Sequence, residues 1–195
     1  MKKLFVMAAA LLTVGVASAQ ITYSIGYINT SLKSEVTYMG VKATDNSTMN
    51  GFTISVDDNI NLTGNLNVAP GAGMALSFHK EGGATTKKFS LYVPVDFNYG
   101  FALNSDLKLF VYAGPTVDFG ILYNTKNGDN KYNLYNKDEG NLSRFDLLLG
   151  GGAWLTYKDQ LRFKVGYKAG LLNTNKTDNC SLKNNVLSVS VGYVF

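Results

Sequence analysis

From Lys88 to Leu103 every second residue is apolar. Phe89, Leu91, Val93, Val95, Phe97, Tyr99, Phe101 and Leu103 alternate with Lys88, Ser90, Tyr92, Pro94, Asp96, Asn98, Gly100 and Ala102. Successive side chains of a strand point to opposite faces, so this period of two predicts a strand with one apolar and one polar side. The next segment repeats the pattern. Leu107, Leu109, Val111, Ala113, Val117, Phe119, Ile121 and Tyr123 share a face, with Phe110 and Leu122 as exceptions on the other. Further strands are predicted where Phe145, Leu147, Leu149, Leu155 and where Leu161, Phe163, Val165, Tyr167 fall in register. Leu66, Val68, Met74, Leu76 and Phe78 define another, Ile21, Tyr23, Ile25 and Tyr27 the first, and residues 186–195 the last.

One predicted strand, residues 52–62, fits less well, because Asp58 falls on the apolar register of Phe52, Ile54, Val56, Ile60 and Leu62. A β-bulge turning Asp57 and Asp58 aside, or a position near an interface, would each accommodate them. The pattern leaves both open.

The connections alternate too. Residues 63–65, 104–106 and 158–160 are tight polar turns, whereas 31–51, 80–87, 125–143 and 174–185 are longer and polar. Short turns at one end and long loops at the other, with both termini on the short side, predict eight strands in an up-and-down arrangement.

Composition agrees. Charged residues make up 16% of the 195 residues and aromatics 12%, with 20 Gly and 3 Pro, which suits strands and turns and is too apolar for disorder. The start of the chain reads as an export signal: Lys2 and Lys3, an apolar run from Leu4 to Val14, then Ala17-Ser18-Ala19 before Gln20. The domain expectation is therefore a cleaved signal peptide at 1–19 and one barrel domain at 20–195. Without Lys2 and Lys3 the formal charge falls from +4 to +2, too small a surplus to argue for nucleic acid. Cys180 is the only cysteine, so no disulfide within the chain is possible and a free loop thiol is expected.

Alternation alone does not say which face points outward, and a soluble lipocalin-like barrel would turn its apolar face inward. The polar face here is mostly Gly, Ala, Ser, Asn and scattered charges, which suits the narrow lumen of eight strands. Aromatics also gather near segment ends, as Tyr99, Phe101, Phe119, Tyr123, Phe145, Tyr157, Tyr193 and Phe195, where amphipathic rings would meet lipid headgroups. The predicted fold class is all-β, an eight-stranded antiparallel up-and-down transmembrane β-barrel.

The last strand, VLSVSVGYVF, places Leu187, Val189, Val191, Tyr193 and Phe195 on one face. An alternating final strand with Tyr third from the end and a terminal Phe resembles the signal read by the outer-membrane assembly machinery. With the export signal and eight strands, the chain resembles the small OmpA/OmpX-type outer-membrane β-barrel proteins of Gram-negative bacteria. The resemblance implies a bacterial outer-membrane location, with lipid, lipopolysaccharide and the assembly machinery as partners. An OmpA-style peptidoglycan anchor after the barrel is not expected.

Candidate chemistry is sparse. His79, the only histidine, shares a face with Ser77 and Glu81, the residue types of a hydrolase. Same-face residues of one strand lie ~6–7 Å apart, too far for a nucleophile–base hydrogen bond, so a polar rim cluster is expected and not an enzyme. Asp96, Lys108, Asp118, Asp146, Arg162, Lys164 and Lys168 all fall on the polar face. Buried charges must be paired, so these are expected to plug the lumen with ion pairs. A gated polar pathway is the alternative. No cofactor or metal site is indicated. The expected role is an envelope structural or surface-interaction one, carried by the long loops; loop 125–143, with Tyr132 and Tyr135, is the leading contact candidate. A narrow porin-like channel is the second reading and a lipid-modifying enzyme the third.

Overall fold

The computed structural model describes residues 20–195, so the cleavage motif Ala17 and Ala19 lies outside the described residues. Ten strands form one antiparallel sheet: β1 (Ile21–Tyr38), β2 (Val41–Asp58), β3 (Ile60–Thr63), β4 (Leu66–Glu81), β5 (Ala84–Ala102), β6 (Leu107–Asn127), β7 (Asn130–Asn133), β8 (Phe145–Tyr157), β9 (Leu161–Gly170) and β10 (Cys180–Val194). Pairing runs β2-β1-β10-β9-β8-β6-β5-β4, and a β2–β4 ladder closes the ring. Eight strands therefore build the barrel. β3 continues β2 along β4, and β7 is a short flap on β6.

The two faces segregate as the alternation predicts. Tyr23, Ile25, Phe52, Ile54, Phe97, Phe163, Val165 and Val189 are exposed outside, while Asp96, Asn98, Asp146 and Arg162 are buried inside. β8 runs from Phe145 at the outer rim to Tyr157 at the turn side in 13 residues. At ~3.3 Å per residue and a tilt of ~45° it rises roughly 28 Å, close to the ~25 Å apolar band of outer-membrane barrels. Tyr23, Tyr193 and Phe195 pack edge to face at the turn-side rim, where Tyr99 also meets Phe101.

Three sequence expectations are corrected. Residues 31–51 are not a loop: β1 and β2 continue as a hairpin and turn only at Met39-Gly40. Residues 80–87 likewise are a tight Gly82-Gly83 turn between long strands, and β10 begins already at Cys180. In water neither face of such a hairpin needs to be apolar, so the alternation that marks a strand disappears while the hydrogen bonds persist.

The second correction concerns β6. A bulge at Ile121 shifts the pairing from Phe89↔Leu122 to Ser90↔Gly120, and the extra residue exchanges the faces beyond it. Tyr123 therefore points inward and is 6% exposed, and Leu122 points outward at 38%. Tyr123 does not belong to the outer aromatic rim.

The third concerns Asp57 and Asp58, where the bulge is excluded and the position near an interface stands. Asp57↔Gly71 and Ile60↔Val68 keep one register, so no extra residue is inserted there. The ladder breaks because Asp58 lies opposite Pro70, which has no N–H to donate. Asp57 faces inward, and Asp58 sits opposite Ile21 at the turn-side rim.

Candidate functional site

The lumen is packed in layers. At the turn side Trp154, 1% exposed, stacks on Phe110 with ring centroids 5.0 Å apart and on Tyr112 at 5.4 Å. Phe110, out of pattern in the sequence, faces inward as part of this plug. The Arg162 guanidinium lies 4.8 Å from the Trp154 ring and donates from Nη1 to Asp57 Oδ1 at 2.7 Å. Gly166 leaves room for the Tyr112 hydroxyl, which occupies the place a Cβ would take. An amide chain runs beside the plug: Asn61 donates to Asn67, Asn67 to Asn98 and Asn98 to Asn59, at 2.9, 3.1 and 2.9 Å.

Above the plug, Asp96 accepts from Lys164 Nζ at 3.0 Å and from Lys168 Nζ at 2.6 Å. Lys168 also donates to Thr116 Oγ1 at 2.7 Å, and Lys164 lies 4.3 Å from the Tyr112 ring centroid. Higher still, Lys88 donates to Asp118 at 2.9 Å, and Asn184 Nδ2 to Asp146 Oδ2 at 2.7 Å. Three acids (Asp57, Asp96, Asp118) thus pair with four bases (Lys88, Arg162, Lys164, Lys168), while Asp146 is held by Asn184 and the Leu147 N–H and has no cationic partner among the described residues. A cavity of about 150 Å³, lined by Ser and Thr hydroxyls and these charges, lies between the layers.

The outer end closes on a small apolar cap. Met49, Leu32 and Tyr123 are buried there, and Leu134, Tyr135, Leu142 and Leu182 pack onto them. The Tyr135 ring fills the space a side chain at Gly120 would need, and burial pushes its phenol up to about 12. Arg144 stacks on Tyr135 at 4.4 Å. Its Nη1 donates to the carbonyls of Gly120 and Ile121 at 3.1 and 2.8 Å, serving the bulge. Loop 125–143 is therefore divided: Tyr135 turns inward to seal the mouth, and Tyr132 remains exposed.

Of the seven charges singled out in the sequence, six lie in this interior; Lys108 instead pairs with Asp159 at 2.8 Å on the exposed turn-side rim. Lys88, Asp57 and Asn184 were missed as partners. The even-position parity that Lys88 shares with Asp118 could have suggested the first. His79 Nε2 meets Glu81 Oε2 at 3.1 Å, the long glutamate reaching along the strand. Nδ1 donates to the Thr48 carbonyl at 2.6 Å. No hydrogen bond joins His79 to Ser77 among the described residues.

Outside the membrane band, Glu35 pairs with Lys42 at 2.7 Å and with Lys33 at 2.9 Å, and these hydrogen bonds hold its carboxyl down at about 2. A depressed value means the contribution is full above the ordinary carboxylate range and fades as pH falls toward 2. NMR titration of Glu35 is expected to give a midpoint near 2 in low salt, rising as added salt screens the exposed pairs. A midpoint in the ordinary range at low salt would show that the pairs do not form.

A closed antiparallel ring with apolar side chains outside, aromatic rims and a charged, packed interior is a transmembrane β-barrel. The chain belongs to the outer membrane protein beta-barrel domain family, whose profile matches residues 5–195. Its place is accordingly the bacterial outer membrane, in contact with lipid and lipopolysaccharide. The fold is similar to that of Neisserial surface protein A, which is 15% identical, with 89% of this chain and 97% of that one covered and a TM-score of 0.51. Ail of Yersinia pestis is 16% identical (92% and 100% covered, TM-score 0.41), and OprG of Pseudomonas aeruginosa 10% (92% and 98%, TM-score 0.44). No curated protein matches the sequence.

Proposed function

We propose that the protein acts from its extracellular face, as an envelope structural or surface-interaction protein whose lumen does not pass solutes. One observation carries this reading: two packed layers cross the lumen, the Phe110–Trp154 stack below and the Met49–Tyr123–Tyr135 cap above. The ion pairs between them satisfy buried charges that would otherwise destabilise the barrel, so the polar interior is accounted for without transport. Hydroxyls and charges around the 150 Å³ cavity are what favour the channel alternative, but a layer of packed rings stands at either end of it. An enzymatic reading finds little support, since the His79–Glu81 pair lacks a bonded serine nucleophile among the described residues.

In this reading residues 1–19 direct export and are removed before Gln20, and the strand ending in Tyr193 and Phe195 is presented to the assembly machinery. The test is planar-bilayer recording of the purified, heat-modifiable barrel. The expected trace shows no steady conductance above the bare bilayer. A large sustained current from the unmodified protein would overturn the proposal.

A further inference from the structure

Asp58 carries a carboxylate that the described residues leave half unanswered. Its Oδ1 is shut off from solvent and has no hydrogen-bond partner among them. The neighbouring Asn59 N–H is the one backbone donor set against this group. Across the sheet Asp58 lies opposite Pro70, which has no N–H to offer. The basic side chains of the turn-side rim are engaged elsewhere: Arg162 with inward-facing Asp57, Lys108 with Asp159, and Lys158 over the Tyr157 ring. A buried carboxylate oxygen without a donor is costly and rare in native folds.

The strand register sets the residue before Ile21 beside this oxygen. Ile21 lies opposite Asp58. The Ile21 carbonyl accepts from the Phe195 N–H, so the backbone groups of Ile21 face β10 and not β2. Ile21 and Asp58 are therefore a non-hydrogen-bonded pair, with Cα atoms ~4.5 Å apart and both side chains on one face. Backbone direction alternates along a strand, so the Gln20 nitrogen is turned back toward β2 at the Asp58–Asn59 step. Consecutive Cα atoms are ~3.8 Å apart, which keeps that nitrogen within reach of the Asp58 side chain. In the precursor it is a peptide N–H. Hydrolysis of the Ala19–Gln20 bond leaves the carboxylate on Ala19 and makes the Gln20 nitrogen an ammonium, with a positive charge and three N–H donors.

We infer that Asp58 is the counter-ion of the α-ammonium that signal removal creates at Gln20, a charge pair that the precursor does not have. The carboxylate lacks a donor, and the new terminus lacks an acceptor; the register brings the two together. Chain termini fray unless something ties them down. Here the first strand is held between β2 and β10 up to Ile21, and the pair extends that hold to the first residue of the mature chain. Asp58, the one charge on the apolar register of its strand, thereby gains a reason to stand there. The device is silent until export is complete, because a peptide nitrogen carries no charge. The inference rests on the cleavage before Gln20 proposed above and says what the new terminus does.

The test uses the mature barrel purified from outer membranes, with heat-modifiable migration to show that each variant is folded. Mass measurement of the N-terminal peptide first identifies the terminus. Competitive acylation across pH, read on the same peptide, then gives the midpoint of the α-amine. An opposite charge beside an amine favours its charged form. The midpoint is therefore expected about one pH unit above the ordinary ~7.7–8.0, the modest end of such shifts because Gln20 itself is exposed. Asp58→Asn is expected to return it to the ordinary range, and Asp58→Glu to keep it raised. A short Gly-Ser extension before Gln20 moves the ammonium away without touching Asp58, and its midpoint is expected to be ordinary too. Any contribution from the Phe195 end of β10 is common to the unmodified chain and Asp58→Asn, and it cancels between them. Equal midpoints in those two folded barrels overturn the inference. So does a Gln20 found cyclised with loss of ammonia, since no ammonium is then left to pair. A terminus other than Gln20 sinks the cleavage reading and the inference together, whereas an ordinary midpoint at a Gln20 terminus sinks the inference alone.

Discussion

Asp96→Ala is expected to destabilise the barrel by about 3–5 kcal/mol, because it leaves two ammonium groups in the interior without their counter-ion. Asp96 is 1% exposed and joins Lys164 and Lys168, 21% and 15% exposed, in one cluster. Neither lysine has another carboxylate within salt-bridge distance among the described residues; Lys168 keeps Thr116 and the Tyr112 ring at 6.0 Å, and Lys164 the faces of Tyr112 and Trp154. Replacing all three by apolar residues of similar volume is expected to recover most of the loss, since an intact buried ion cluster is close to neutral against a hydrophobic substitute. Urea refolding in lipid vesicles reads both effects. An unchanged midpoint for Asp96→Ala would mean that water, not protein, compensates these charges.

The second large effect is on permeation, and it is non-additive. Trp154→Ala removes a fully buried indole, a loss of about 3–5 kcal/mol, and opens the turn-side plug. The cap above is then still shut, so this variant alone is expected to stay non-conducting. Tyr135→Ala removes the ring wedged at Gly120 and held by Arg144, yet leaves the Phe110–Trp154 stack below. Only the double variant joins the cavity to both sides, and only it is expected to conduct. Conductance from Trp154→Ala alone would show that the cap does not seal.

The barrel wall was legible because lipid enforces a strict rule on it. Wherever a strand crosses the membrane, one face must be apolar and the other must fill a narrow interior, so the series from Phe89 to Leu103 could hardly be read otherwise. Two kinds of feature escaped. A single inserted residue is invisible to a period of two, and Ile121 silently moved Tyr123 from rim to cap. Above the membrane the rule lapses, so the hairpin through Val41 looked like a loop although every residue of it is paired to β1.

The interior was half legible for a related reason. Parity placed Asp96 and Lys164 on the same side of the wall, but strands distant in sequence decide which charge meets which. Arg162 is 105 residues from Asp57, and Lys168 is 72 from Asp96. Their partnership depends on how the ring closes. Trp154 falls in the polar series, and only the closed fold brings Phe110 and Arg162 against its ring.

Because β1 and β2 run unbroken from the turn-side rim to Met39, a force applied at that apex is carried in shear through successive hydrogen bonds into the wall. A flexible tether would stretch and yield under the same load. The apex instead behaves as a stiff mast, and a cell held by it would feel tension directly at its outer membrane.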